Sequence, residues 1–185
     1  MNQSETGNEP LSWQEFEAEF YRLLGRLVCA HSRFDHNIGS QLRTFGRWYG
    51  DDVAEFLDPK KVPFGKRLKK LRSMVLEIYA ASGKKGLTEL TDFFDRAGNA
   101  TALRNDYVHG RWNWHYRERA GGEMILQFNP LHWDMTPDRP DDSVTMPLGE
   151  FADQVTNAEK VLSEYFRLVE KYRQFAKEPP TNSNA

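Results

Sequence analysis

Residues 12–50 read SWQEFEAEFYRLLGRLVCAHSRFDHNIGSQLRTFGRWYG, and they decide the fold class. Ser12-Trp13-Gln14-Glu15 has the form of a capping box. The Ser12 hydroxyl can accept from the Glu15 backbone N–H while the Glu15 carboxylate reaches back. From there Phe16, Phe20, Leu23, Leu27, Ala30, Phe34, Ile38, Leu42 and Phe45 recur at steps of three and four. That is one apolar stripe along a long helix, and such a stripe needs other elements to cover it. Gly25 and Gly39 are candidate bends, Gly50-Asp51-Asp52 is the expected stop, and Asp58-Pro59 to Val62-Pro63 reads as a loop.

Working outward, a second helix is expected from Pro63-Phe64, with Leu68, Leu71, Val75 and Ile78 as its buried stripe. Ser82 to Gly86 reads as the turn after it. A third helix runs from about Leu87 to His109 on Leu87, Leu90, Phe94 and Ala97, with Gly98-Asn99 as a possible break and Gly110 where a left-handed C-terminal cap is expected. The period then drops to two. Trp112, Trp114 and Tyr116 alternate with polar residues, Ala120-Gly121-Gly122 makes a turn, and Met124, Leu126 and Phe128 alternate again, which predicts a β-hairpin over about 111–128. Ser143 to Met146 reads as a short third strand. A last helix from about Gly149 to Lys177 carries Phe151, Val155, Ala158, Leu162, Tyr165, Leu168, Tyr172 and Phe175. The expected fold is mainly α: an antiparallel bundle of four to five helices with a small β-hairpin insertion before the last one. Residues 12–177 are read as one domain, with 1–11 and 178–185 as polar tails.

Composition narrows the function classes. A chain of 185 residues, 39% hydrophobic, can bury one real core. Its net charge of -2 excludes a strongly basic footprint, so any nucleic-acid contact has to come from a local patch. The single cysteine, Cys29, excludes an internal disulfide and suits a reducing cytoplasm. No apolar run is long enough for a membrane span, and the first ten residues lack a signal-peptide pattern. Cys29, His109, His115 and His132 lack zinc-ligand spacing, and Gly83 and Gly86 do not form a phosphate loop, so no metal or cofactor is expected.

The segment closest to naming a chemistry is Arg104-Asn105-Asp106-Tyr107-Val108-His109-Gly110. On a helix Asn105 and His109 lie roughly 40° apart and can touch, so the amide can select the imidazole tautomer. Arg104 stands roughly 140° from His109, so the two meet only if Arg104 stretches across or a second chain contributes. Arginine's planar fork matches phosphate oxygens, and histidine is the side chain most readily poised for proton transfer. Those parts suit cleavage of RNA by its own 2′-OH. Arg104 would carry the charge that builds on phosphorus-bound oxygens, and His109 would move the proton. The plainer alternative pairs Arg104 with Asp106 or another acid and leaves His109 as a helix C-cap.

In these residues the chain resembles the HEPN superfamily, whose helical domains carry an Arg, a polar residue, a short spacer and a His. Arg104, Asn105 and His109 fill those places in order. The resemblance covers about Ser12 to His109 and the final helix; the hairpin lies outside it, where it could cap, gate or block the motif. It implies a metal-independent endoribonuclease, often a toxin or phage-defence effector, acting on RNA as a homodimer with the motif at the seam. In some relatives it implies an inactive module, or an antitoxin or nucleotidyltransferase partner. The competing expectation is a non-catalytic helical module for dimerisation or for protein or nucleotide binding.

Three further groups are candidates. Asp35 and His36, mid-way along the first helix, could face the motif, with Asp35 holding Arg104; Asp106 is a third supporting residue. Lys66, Lys69 and Lys70 belong to the one basic concentration, with Lys60, Lys61, Arg67, Arg72, Lys84 and Lys85. Such a run is usually a solvated face, and beside the motif it would steer RNA phosphates. Trp112, Trp114, Tyr116 and Trp133 read first as core and second as a base-stacking surface.

Overall fold

The computed structural model describes residues 11–50, 52–117, 123–129 and 144–177, the side chains of 114–117 and 123 excepted. It is mainly α-helical with a small antiparallel sheet: α1 Trp13–Tyr49, α2 Phe64–Ile78, α3 Gly83–His109, α4 Leu148–Ser163, α5 Tyr165–Tyr172, and strands β1 Arg111–Arg117, β2 Glu123–Asn129 and β3 Val144–Pro147. The capping box forms: the Glu15 N–H donates to Ser12 Oγ at 3.3 Å and the Ser12 N–H to Glu15 Oε2 at 2.9 Å. α1 then runs unbroken past Gly25 and Gly39 and stops at Gly50, whose φ of 69° is left-handed. Its stripe packs against α2, α3 and α4.

The stripe differs from the sequence reading at one place. His31, not Ala30, is fully inside it, because steps of four and three from Leu27 pass through 31 to reach Phe34. α3 also starts earlier than expected. A single 3₁₀ turn, Ala80–Ser82, separates it from α2, so Gly83 to Gly86 enters the helix. It continues through Gly98-Asn99 without a break. The expected last helix is two pieces. At Glu164 the backbone N–H turns to Val161 O, a tightened bond three residues back, and the carboxylate binds Arg96 and Arg167.

The hairpin is present and is joined by β3 in the order β1-β2-β3, with Trp112 opposite Phe128 and Phe128 opposite Val144. The expected turn at Ala120-Gly121-Gly122 falls outside the described residues, as do both expected tails apart from Leu11. One sheet face enters the core through Leu126, Phe128 and Met146. There Phe20, Tyr107, Trp112, Phe128 and Phe151 form one knot of rings. Trp112 lies 4.7 Å from Phe128, 4.9 Å from Phe20, 5.1 Å from Tyr107 and 5.2 Å from Phe151. Such pairs add to area burial because ring edges meet ring faces.

Gly110 is where α3 gives way to β1. It is not the left-handed cap the sequence suggests: φ is −72° and ψ 168°. Glycine is needed here for closeness, since a Cβ would stand 1.9 Å from Phe128 Cε2 and 2.7 Å from Asp106 O. Gly110→Ala is expected to cost about 2 kcal/mol or more by overpacking. Adding Phe128→Leu should return part of the loss, and paired thermal melts of the single and double variants check this.

Candidate functional site

The Arg104-to-His109 segment is helical throughout and ends α3, so its angular spacing is that of a regular helix. His109 is the last helical residue and is exposed. Gly110 carries the chain away, its N–H donating to Asp106 O at 2.7 Å. Trp112 turns into the ring knot, and its indole N–H donates to Tyr107 O at 2.7 Å. The near end of β1 is therefore pinned on the Tyr107 side of α3, and the hairpin leaves His109 open to solvent.

Arg104 is half-buried. Its Nη1 donates to Asn105 Oδ1 at 2.9 Å, and its Nε is enclosed with no partner. The Asn105 oxygen thus faces Arg104, and no hydrogen bond joins Asn105 to His109 among the described residues. The alternative ion pair of Arg104 with Asp106 does not form. Asp106 is exposed and lines a different space, a cavity of about 600 Å³ bounded by Leu103, Tyr107, Phe128, Met146 and Gln154. The Tyr107 hydroxyl donates to Gln154 Oε1 in its wall. Burial first, then the Glu150 and Asp106 charges, push that phenol up to about 12.

Asp35 holds a different arginine from the expected one. It pairs with Arg67, which is only 3% exposed and also donates from Nε to Phe56 O at 3.0 Å. Gly39 makes room, because a Cβ there would stand 2.8 Å from Arg67 Nη2. His36 is exposed and lines a cavity of about 390 Å³ with Asp35, Gly39 and Arg67, which Arg104 does not touch. The basic run accordingly divides. Arg67 is interior, Arg72 pairs with Asp95 at 2.7 Å, and Lys61 with Asp58 at 3.8 Å. Lys66 and Lys69 are exposed, and Lys70 lies over the Phe56 ring at 5.7 Å. Trp112 is core. Trp133 lies outside the described residues, as do the side chains of Trp114 and Tyr116.

The histidine that meets Arg104 electrostatically is His31, which the sequence reading passed over. It is buried in α1 with Nε2 unpaired, and its ring lies 4.6 Å from that of Phe64. Burial lowers its pKa and the Arg104 charge lowers it further, against a smaller pull upward from Asp35. The available signal was a histidine standing on the apolar stripe, four residues from Leu27 and three from Phe34. Among the described residues no group of three His, Cys, Asp or Glu side chains is placed to hold a metal, and no helix is long and apolar enough to cross a membrane.

No protein-family model, no curated protein and no solved structure matches this chain.

Two stability predictions follow from these partners. Asp35→Ala leaves the enclosed Arg67 cation with two backbone carbonyls, those of Phe56 and residue 35, and should cost roughly 3 kcal/mol, whereas Arg67→Met, which removes the charge and leaves a half-exposed carboxylate, should cost less. Denaturant melts of both variants test the order. For His31, a folded pKa below the ordinary 6.5 means the unfolded chain takes up the proton first. Stability is therefore full above that value and falls as pH is lowered through and below it. His31→Phe should flatten the acid limb of the stability profile, read as denaturation midpoint against pH.

Proposed function

We propose that this chain is a metal-independent endoribonuclease of HEPN type, a helical bundle that acts as a homodimer on RNA. One observation carries the reading. The motif's cation and its imidazole are both left without a carboxylate among the described residues, Arg104 held only by the neighbouring Asn105 amide and His109 exposed at the end of α3. An arginine with a purely structural role is normally matched, as Arg67 is by Asp35.

The reaction assigned to them is transesterification. A base takes the proton from the ribose 2′-OH, the oxygen attacks the adjacent phosphorus, and the 5′-oxygen leaves with a proton, giving a 2′,3′-cyclic phosphate end. Arg104 binds the nonbridging oxygens, whose charge grows as the fifth bond forms. His109 serves as base or acid. One imidazole cannot be both in the same instant, and on one unbroken helix it stands roughly 140° from Arg104. A symmetric pair of chains places a second Arg104 and a second His109 at a shared seam and supplies both roles. Asn105 holds Arg104 rather than His109 in this mechanism. Lys66 and Lys69, both exposed, supply the local positive charge that would draw in the strand.

The test is incubation of purified protein with mixed RNA in EDTA, with the product ends identified. Cleavage to cyclic-phosphate ends is expected, reduced about 10²-fold or more in both Arg104→Ala and His109→Ala. Equal cleavage by all three proteins, or none by the wild type at concentrations where it is dimeric, would leave a helical module for dimerisation or ligand binding in its place.

A further inference from the structure

Asp35 and His36 stand side by side on α1, and the Arg104 motif uses neither. Both line the cavity of about 390 Å³ that is bounded by α1, by Leu57 and Pro59 of the connection after it, and by Arg67 of α2. Its volume lies at the lower end of the roughly 300–1,000 Å³ usual for small-molecule sites, which suits a compact ligand. Of its described lining residues only Leu57 and Pro59 bring an apolar side chain, and none is a Phe, Tyr or Trp. The lining suits a polar ligand and offers no ring for a base to stack on.

Ser32, His36, Ser40 and Arg43 reach this cavity from one side of α1, and all four are exposed, so a ligand meets them from solvent. Steps of four, four and three keep them within roughly 80° around the axis. Helical side chains lean towards the N-terminus, which directs the long Arg43 chain back over Ser40 towards His36. The charge here is not balanced within the chain. Asp35 is the only acid of the lining, and it is committed to Arg67. Arg43 has no acid partner and His36 no hydrogen bond among the described residues. Arg67 is the one lining residue that is fully buried, at 3% exposed. A guanidinium carries five N–H donors, and this one meets Phe56 O, the Asp35 carboxylate and, at 3.5 Å, the Asp35 carbonyl, so donors remain. What the cavity lacks is an acceptor, and its charge favours a negative one.

We propose that Ser32, His36, Ser40 and Arg43, with Arg67 beneath them, form a binding site for the dianionic head of a phosphate monoester. The Arg43 fork takes two oxygens. His36 meets a third through a ring N–H, which imidazole carries on one nitrogen or on both in either protonation state. The serine hydroxyls donate to what remains, and the Arg67 charge lies under the whole. Donors arriving from several directions match a tetrahedral group of two charges. A carboxylate, with one charge and two coplanar oxygens, leaves part of the set unmet. No residue of the Arg104 motif lines this cavity, so the site stands or falls apart from the ribonuclease reading. The monoester belongs either to the 5′ end of a strand or to a free phosphorylated small molecule, and the experiment separates these sources.

The probes are inorganic phosphate, ribose 5-phosphate and a 5′-phosphorylated 2′-O-methyl tetranucleotide, titrated into the full chain with ionic strength held constant by sodium chloride. NMR follows the imidazole signals of His36, assigned by their loss in His36→Ala, and the Nε–H signal of Arg43, assigned by its loss in Arg43→Gln. Calorimetry reads affinity. Ribose 5-phosphate should move both sets of signals to saturation, and should bind roughly tenfold more weakly to either variant. Arg43→Lys, which keeps the charge and loses the fork, should fall between Arg43→Gln and the wild type. Both positions are exposed, so the variants should keep the wild-type Tm. Binding of the tetranucleotide as well keeps the site and assigns it to strand ends; binding of the small phosphates alone keeps it and assigns it to free phosphorylated molecules. His36 and Arg43 signals that no probe moves overturn the proposal, whether or not the variants fold. So do shifts that sodium chloride alone reproduces, and so does a folded Arg43→Gln that binds ribose 5-phosphate as the wild type does.

Discussion

The packing of Phe128 over Gly110 is the constraint on which the arrangement turns. Helix α3 ends at His109, the backbone leaves in an extended conformation at Gly110, and the Phe128 ring then lies so close that position 110 has no room for a side chain. The next residue but one, Trp112, is thereby delivered into the knot with Phe20, Tyr107, Phe128 and Phe151, where its N–H finds Tyr107 O. Those five rings come from α1, α3, β1, β2 and α4, so one cluster fixes the sheet to three helices at once. The same event strands His109 on the outside. The exposure of the candidate imidazole is a consequence of core packing, not a feature that needed its own support.

Electrostatics in the interior divides two arginines. Arg67 is almost fully enclosed and has a carboxylate and two backbone carbonyls. Arg104 is less enclosed and has an amide. A cation removed from water needs compensation, and Arg67 receives it from the acid that the sequence would otherwise have offered to Arg104. Gly39 permits that choice by letting the Arg67 fork lie against α1. The motif arginine is consequently the one held in place by weaker bonds.

Elements were legible wherever the information is local. The Ser12 capping box, the stripe from Phe16 to Phe45, the stop at Gly50 and the change of period after Gly110 are all set by residues within a few positions of each other, and each element formed. What escaped depends on partners far along the chain. Whether position 30 or 31 is inside depends on which way α2 and α3 press on α1. Arg67 sits in a run of lysines and looks solvated until Asp35, some thirty residues earlier, is brought beside it. The tightening at Glu164 coincides with its ion pair to Arg96 on another helix. At the candidate site the sequence singles out Arg104, Asn105 and His109 but not their pairing: Asn105 has two neighbours within reach on the helix, and the structure gives its oxygen to Arg104.

The unbroken course of α3 then limits how the motif can work. A break at Gly98-Asn99 would have freed the last turns to rotate; without one, Arg104 is held half-buried against Asn105 while His109 stands exposed roughly 140° away around the axis. Within a single chain the guanidinium and the imidazole therefore leave the helix in different directions, and a phosphodiester gripped by one is out of line for the other. Adjusting one rotamer does not change this, since the angle is set by backbone geometry over five residues. On the ribonuclease reading proposed above, two chains related by a twofold axis would change it, because the exposed histidine of each could approach the arginine of the other. On that reading the geometry of one helix makes association a condition of the chemistry rather than an addition to it.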